Sequence, residues 1–454
     1  MRKLLFLICI SVLFSCTKEK SISYLPLNLD EYNSGGKATV HALGFSVPAP
    51  NLSTSIQEKH DAGDIDFEQS FVTAPSPVFG GLGPVFNHIS CVGCHPADGR
   101  APYPTNLNLS NGLLFRVSIP GTDANGGPLD APGFGGQLQQ RASAGQKPEA
   151  LINVRYENKI VSFADGNTVT LRKPIFSLTD PYIPIPAGMM ISPRLAPPVF
   201  AMGLLEAIPE NRLIDLQDIN DTNDDGISGK INYVWDVASS SLKPGRFGWK
   251  AEAPTSLQQV AGAYHQDMGI TNPIFSTESS FGQAQYDGLN DETEINQTTL
   301  ENVTVYVQTL GPPAPRNLDD ETVLKGRSLF YDAKCTSCHT PKHTTSTNFT
   351  EIPEFSNQTI YPYTDMLLHD MGDDLSDNRP AFKATGNEWQ TRPLWGIGLT
   401  QFNNGHTFFL HDGRARNIEE AILWHGGEAE KSKEFYTNLS KEDRNAILKF
   451  INAL

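Results

Sequence analysis

Cys91-Val92-Gly93-Cys94-His95 and Cys335-Thr336-Ser337-Cys338-His339 are the stretches that decide how this chain of 454 residues is built. Two thiols separated by two residues can form thioethers to the two vinyl groups of one haem. The histidine that follows supplies an imidazole to the iron. A zinc site would need four ligands and would consume both pairs, although each pair has its own histidine. A thioredoxin-like pair would sit in a βαβ pattern, which neither motif has. The spacing therefore predicts two covalently bound haem c groups, with His95 and His339 as proximal iron ligands.

The flanks extend this reading. Phe86 stands five residues before Cys91, and Phe330 stands five before Cys335. Val323, Gly326 and Phe330 fall near one helical face, and Gly326 lets another helix approach. The segment 440–454 looks like that helix: Ser440 and Asp443 have capping-box spacing, and Ile447, Phe450, Ile451 and Leu454 repeat at helical intervals. Residues 158–174 alternate about a central Asp-Gly, the mark of a β-hairpin. Residues 99–150 are glycine-rich loops, and 311–316 (GPPAPR) reads as a linker. A weak repeat is visible. An Arg-Pro loop follows each haem motif, and the run from Phe247 echoes the run from Leu410.

The beginning of the chain reads as an export signal. Arg2 and Lys3 precede an apolar run over 4–14 that is too short to span a bilayer, and Cys16 follows at the place of a lipidated cysteine. The expected organisation is a lipoprotein signal peptide at 1–15, then a lipidated Cys16 with a tether and irregular segment to 75. An N-terminal cytochrome c-like haem domain with insertions follows over 76–316, and a C-terminal one over 317–454. The expected fold is mainly α, with long loops and a small β-hairpin insertion. A net charge of -16 argues against nucleic acid and favours cationic partners. Asp221, Asn223 and Asp225 alternate before Gly226 like the first half of a calcium loop, with Asp236 as an outer ligand, so one calcium ion is also expected. Arg194 and Arg392, in the Arg-Pro loops, are candidates to bind haem propionates. Trp249 and Trp395 are candidate relays between haem and partner.

The runs GLGPVFNHISCVGCH, RLAPPVFAMGLLEAIP, DTNDDGISG, FGWKA, YPYTDMLLHDMG, TRPLWGIGLT and FLHDGRARNIEEAILWHGGEA resemble the bacterial di-haem oxidoreductases, sometimes called thiol oxidoreductase-like, over residues 65–454. These are distant relatives of the di-haem cytochrome c peroxidases and MauG. The resemblance implies peroxide reduction, with electrons entering through the C-terminal haem. Pure electron transfer and MauG-like oxidation of another substrate are the alternatives. His425 stands where the peroxidases carry a ligating methionine, which implies His339/His425 coordination. His265 and Met268 are candidates for the distal side of the first haem. Gln259 lies where the peroxidases place an acid; an amide cannot supply a proton, so Glu206 or Asp267 is left to substitute. His369, His406 and His411 either line the second haem or brace the structure. The resemblance also implies an outer-membrane location facing the periplasm, with a small redox protein or quinol-linked donor as partner.

Overall fold

The computed structural model describes residues 24–108, 112–289 and 293–454. The expected leader and Cys16 lie outside the described residues. In chain order the principal elements are α1 (Thr54–Glu68), β1 (Leu113–Thr122), β2 (Gln137–Leu138), β3 (Leu151–Ser162), β4 (Thr168–Thr179), β5 (Met190–Leu195), α2 (Ser256–Met268), α3 (Gln297–Thr309), α4 (Glu321–Asp332), α5 (Ile418–Trp424) and α6 (Lys441–Ala453).

Helix starts follow capping chemistry. Thr255, Asn296, Asp320, Asn417 and Ser440 each accept a first-turn backbone N–H at the heads of α2, α3, α4, α5 and α6. Two helix crossings then form the frame. α4 packs on α6, and α1 packs on α3. Both depend on a glycine: a Cβ at Gly326 would collide with the carbonyl of Ala446, and one at Gly63 with that of Asn302. Four residues beyond each glycine, an aromatic ring packs on the partner helix. Phe330 lies 5.4 Å from Phe450, and Phe67 lies 5.2 Å from Tyr306.

This corrects the expectation for residues 16–75, which contain the first crossing helix. α1 was hidden because its sequence is largely polar and buries only His60, Gly63 and Phe67. The preceding stretch is also engaged. Glu31 is buried against Arg327 (2.6 Å) and accepts from Tyr363 (3.0 Å), while Val40 and Pro48 bridge to Pro313 and Leu310. The expected linker is thus pinned by an earlier part of the chain.

The expectation of a mainly α chain is also corrected, to a mixed α/β fold. β1 pairs with both β2 and β5, and β3 with β4 along its whole length. Short strands joined across long loops leave little alternation to read, so only the hairpin was signalled. That hairpin is long, and its tip docks on the C-terminal helices. Asp165 pairs with Arg444 at 2.9 Å, and Ala164 N–H donates to the Thr437 carbonyl. Among the described residues, no helix is long and apolar enough to cross a membrane.

Candidate functional site

One cavity of about 430 Å³ runs from the first CxxCH to the second, lined by Cys91, Cys94, His95, Cys335, Cys338 and His339. None of these four cysteines is paired in a disulfide. Burial pushes Cys91 and Cys335 up to about 12, so neither acts as a thiolate near neutrality.

The two proximal histidines are dressed alike. His95 Nδ1 lies 2.7 Å from the Pro197 carbonyl, and His339 Nδ1 lies 3.0 Å from that of Tyr363. A carbonyl only accepts, so each Nδ1 carries the proton and each Nε2 keeps a lone pair, as a metal ligand requires. Burial holds both rings down at about 4, neutral at physiological pH. Phe67 lies 6.4 Å from His95, and Phe330 lies 6.2 Å from His339, at nearly the same tilt. Phe67, rather than Phe86, is therefore the counterpart of Phe330. Phe86 instead receives the Arg141 guanidinium at 5.3 Å.

Two matching turns line the cavity. Phe247 bridges Ala253, and Phe409 bridges Ala415. Gly248 and Ala251 have positive φ (85° and 52°), and so do Leu410 and Gly413 (69° and 73°). The caps Thr255 and Asn417 follow in step. The register is thus Phe247 with Phe409, one residue away from the echo that begins at Leu410. Carried along the helices, it sets Gln259 opposite Ala421 and Ala263 opposite His425, all four in the cavity wall. α5 ends at His425, whereas α2 runs one more turn and presents Asp267 and Met268 to the same cavity.

His425 Nδ1 lies 2.7 Å from the Ala421 carbonyl, which leaves Nε2 with a lone pair, as in the proximal rings. His265 has the opposite arrangement. Its Nε2 donates to the Thr277 carbonyl at 2.9 Å, its ring stacks on Phe275, and it does not line the cavity. The expectation that His265 serves the first haem is corrected, because the ring packs on Phe275 outside the cavity. Glu206 is committed to Ser256 and Gln308. His406 donates to the Arg100 carbonyl. His369 lines the cavity between Asp365 (2.8 Å) and Glu428 (2.7 Å), beside Cys338.

The cavity wall is cationic where the two turns meet. Arg100 and Arg392 each lie 5.5 Å from the Trp249 ring centroid. Arg100 is 8% exposed, and its Nε and Nη1 have no partner. Burial, with repulsion from Arg392, lowers it to about 9; burial lowers Arg392 to about 10. Among the described residues Arg392 hydrogen-bonds the Gly248 carbonyl and Gln390. A buried guanidinium and a half-buried one, with no carboxylate paired to either among the described residues, call for anions. Haem propionates are such anions, so the residues fit two haems. Arg194 is less free, since Asp377 holds it at 3.1 Å, though its Nε and Nη2 are unpartnered. Trp389 stacks on His411 at 3.7 Å. Beside it, the wholly buried Lys250 Nζ lies among Asp377 (2.9 Å) and the carbonyls of Arg379, Thr385 and Gly386.

The loop expected to hold calcium is closed by its own side chains. Asp221, Asn223 and Asp225 spend their side-chain oxygens on the N–H groups of Asp225, Gly226 and Ile227, and Lys431 donates to the Asp225 carbonyl. Asp236 pairs with Lys243. Among the described residues, no group of three or more His, Cys, Asp or Glu is placed to hold a metal ion. Sequence reading also missed Arg100, Trp389 and Ala263. The caps Thr255 and Asn417 carried the register that would have found Ala263.

Paired proximal histidines, matched turns and a shared cationic cavity define a two-centre haem redox protein. The chain belongs to the family described as "Di-haem oxidoreductase, putative peroxidase", whose profile matches residues 29–454. It is a di-haem oxidoreductase of the peroxidase type. A solved structure, that of a MauG-like protein associated with microbial copper homeostasis, is 14% identical, with a TM-score of 0.28 over 54% of this chain and 89% of that one. No curated protein matches.

Proposed function

We propose that the chain reduces peroxide at its first centre, with electrons that enter at the second. The observation that carries this reading is the exchange of Ala263 for His425 at matching places on α2 and α5. A haem iron open on one face binds peroxide, and one held between two imidazoles passes electrons. At the second centre, His339 and His425 each offer Nε2, and Cys335 and Cys338 form the thioethers. At the first, His95 offers Nε2 and Cys91 and Cys94 form the thioethers, while the methyl of Ala263 leaves room for a small substrate. Arg100 and Arg392 neutralise propionates at the meeting of the turns. Trp249, His411 and Trp389 fill the wall there and offer aromatic stepping points. The acidic chain favours a cationic redox protein or a quinol-linked donor.

The test is a pair of substitutions in haem-loaded protein, read by electron paramagnetic resonance in the oxidised and one-electron-reduced states. The parent is expected to hold one low-spin centre and one that is open, or opens after the first electron. H425A should make the second centre high spin, and A263H should close the first and abolish peroxide reaction. Two low-spin centres in both states would select a second reading, electron carriage alone, which draws on Met268 in the same wall. Cys16 is further proposed to carry a lipid that holds the chain at the outer membrane facing the periplasm. C16S should then lose acyl labelling and release soluble protein.

A further inference from the structure

We infer that the second unit lies on the lipid surface through Leu25 and Leu29, an inference that rests on the proposed acylation of Cys16. Leu29 is 71% exposed and Leu25 39%, although Leu27 between them packs against the core of the second unit. An exposed leucine alone needs no explanation. These two stand where the anchor reaches the described chain. Seven residues, Thr17 to Ser23, separate Cys16 from Tyr24. A stretch of that length spans at most about 30 Å, so a lipid on Cys16 keeps Leu25 and Leu29 close to the membrane.

The segment that follows is fixed to the second unit. Leu25 N–H donates to Ser328 Oγ at 3.0 Å, and Arg327 donates to the Pro26 carbonyl at 3.2 Å. Asn28 donates to Tyr361 Oη at 3.0 Å, and Tyr32 donates to Asp319 at 2.9 Å. Glu31 adds its bonds with Arg327 and Tyr363. Among the described residues, the hydrogen bonds that 25–32 makes beyond its own turns all go to the second unit. The leucines therefore cannot turn to the lipid without bringing that unit with them. Ser328 stands six residues before Lys334. At helical rise that is about 9 Å along the axis. Lys334 and Ser337, at the second CxxCH, are exposed. The second centre, where electrons are proposed to enter, is thereby set beside the membrane and within reach of a donor confined to it.

Charge selects the kind of lipid. Asp30 stands between the leucines and Tyr32, Asp319 accepts from Tyr32, and Asp332 ends α4; all three are exposed. Lys325 is held by Asp443. This acidic rim is repelled by anionic headgroups, so the contact is apolar and suits a zwitterionic surface. Two leucines hold lipid weakly by themselves. The anchor supplies the surface at high local concentration, so a weak contact suffices to select which face lies down.

The experiment uses acylated, haem-loaded protein in phosphatidylcholine vesicles, with the haem cysteines and Cys16 consumed. A nitroxide is attached through L25C, L29C or F281C; Phe281 is also apolar, is 65% exposed and belongs to the first unit. Power-saturation paramagnetic resonance compares collision with lipid-dissolved oxygen and with an aqueous nickel chelate. Labels at L25C and L29C are expected to lose nickel collisions several-fold in vesicles, while F281C stays as accessible as in solution. C16S should return L29C to the aqueous pattern. Nitroxide on the lipid headgroups should relax faster beside the ferric second haem, an effect that C91S/C94S keeps and C335S/C338S loses. Aqueous collisions at L29C in acylated, vesicle-bound protein would overturn the contact and leave both the anchor and the proposed function standing. A parent without an acyl chain would overturn the anchor and the contact together.

Discussion

α2 and α5 leave matching turns, carry matching caps and face the same cavity, yet they present opposite surfaces to it. On α5 an imidazole stands after Ala421. On α2 a methyl stands between Gln259 and Asp267. Behind them the supports agree closely: a carbonyl on each proximal Nδ1, a phenylalanine beside each ring, and a glycine at each helix crossing. The frame that positions a haem is held constant, while the residues that meet the far side of the iron differ. A duplicated unit can thus divide electron entry from substrate chemistry through a few side chains on one helix and one additional turn.

The largest expected effect concerns the equality of the two units. C91S/C94S and C335S/C338S should each lose one covalent haem and keep the other, so a pyridine haemochrome assay falls from two per chain to one in either variant. Loss of both from either substitution would break the comparison.

A smaller effect concerns the crossings. G63A and G326A each drive a Cβ into a backbone carbonyl of the crossing helix. Each should cost roughly 1–3 kcal/mol, visible as a lower midpoint in denaturant. A loss confined to one variant would show that the crossings only look alike.

The smallest effect concerns a difference. Asp98, three residues after His95, is buried, accepts from Tyr306 of α3 at 3.0 Å and is raised by burial to about 6. Lys342, three residues after His339, is exposed. A carboxyl raised above its unfolded value binds more protons folded than unfolded. Its contribution is therefore full below the unfolded value of 3.8 and is lost as pH rises through about 6. Between pH 4 and 8 the first unit should lose roughly 1–3 kcal/mol relative to D98N. Amide exchange, corrected for its intrinsic rate, should show α1 and α3 loosening while α4 and α6 do not. Equal loosening of both units would remove Asp98 as the cause.

The two units were unequally legible in the sequence. The C-terminal one could be read because Gly326 and Phe330 lie just ahead of Cys335, so helix, ring and motif form one continuous pattern. In the N-terminal one, Phe67 is far upstream of Cys91, in a polar helix whose burial depends on α3. Phe86, at the tempting distance, belongs to a short strand. His425 was legible because it ends an amphipathic run. Ala263 was not, because an alanine in a helix carries no signal until the register of the turns is known. Arg100 and Trp389 reach the site through tertiary packing, which local pattern does not encode.

Lys250 has a consequence of another kind. A carboxylate and three carbonyl oxygens are the donor set a hard cation prefers. An ion bound there from solution would come and go with its concentration, and a chelator would strip it. The ammonium arrives on its own side chain, so its local concentration is set by covalent attachment and not by the medium. The contact between the FGWKA turn and the 377–386 loop is therefore insensitive to dilution, and no supply of metal is needed to keep it.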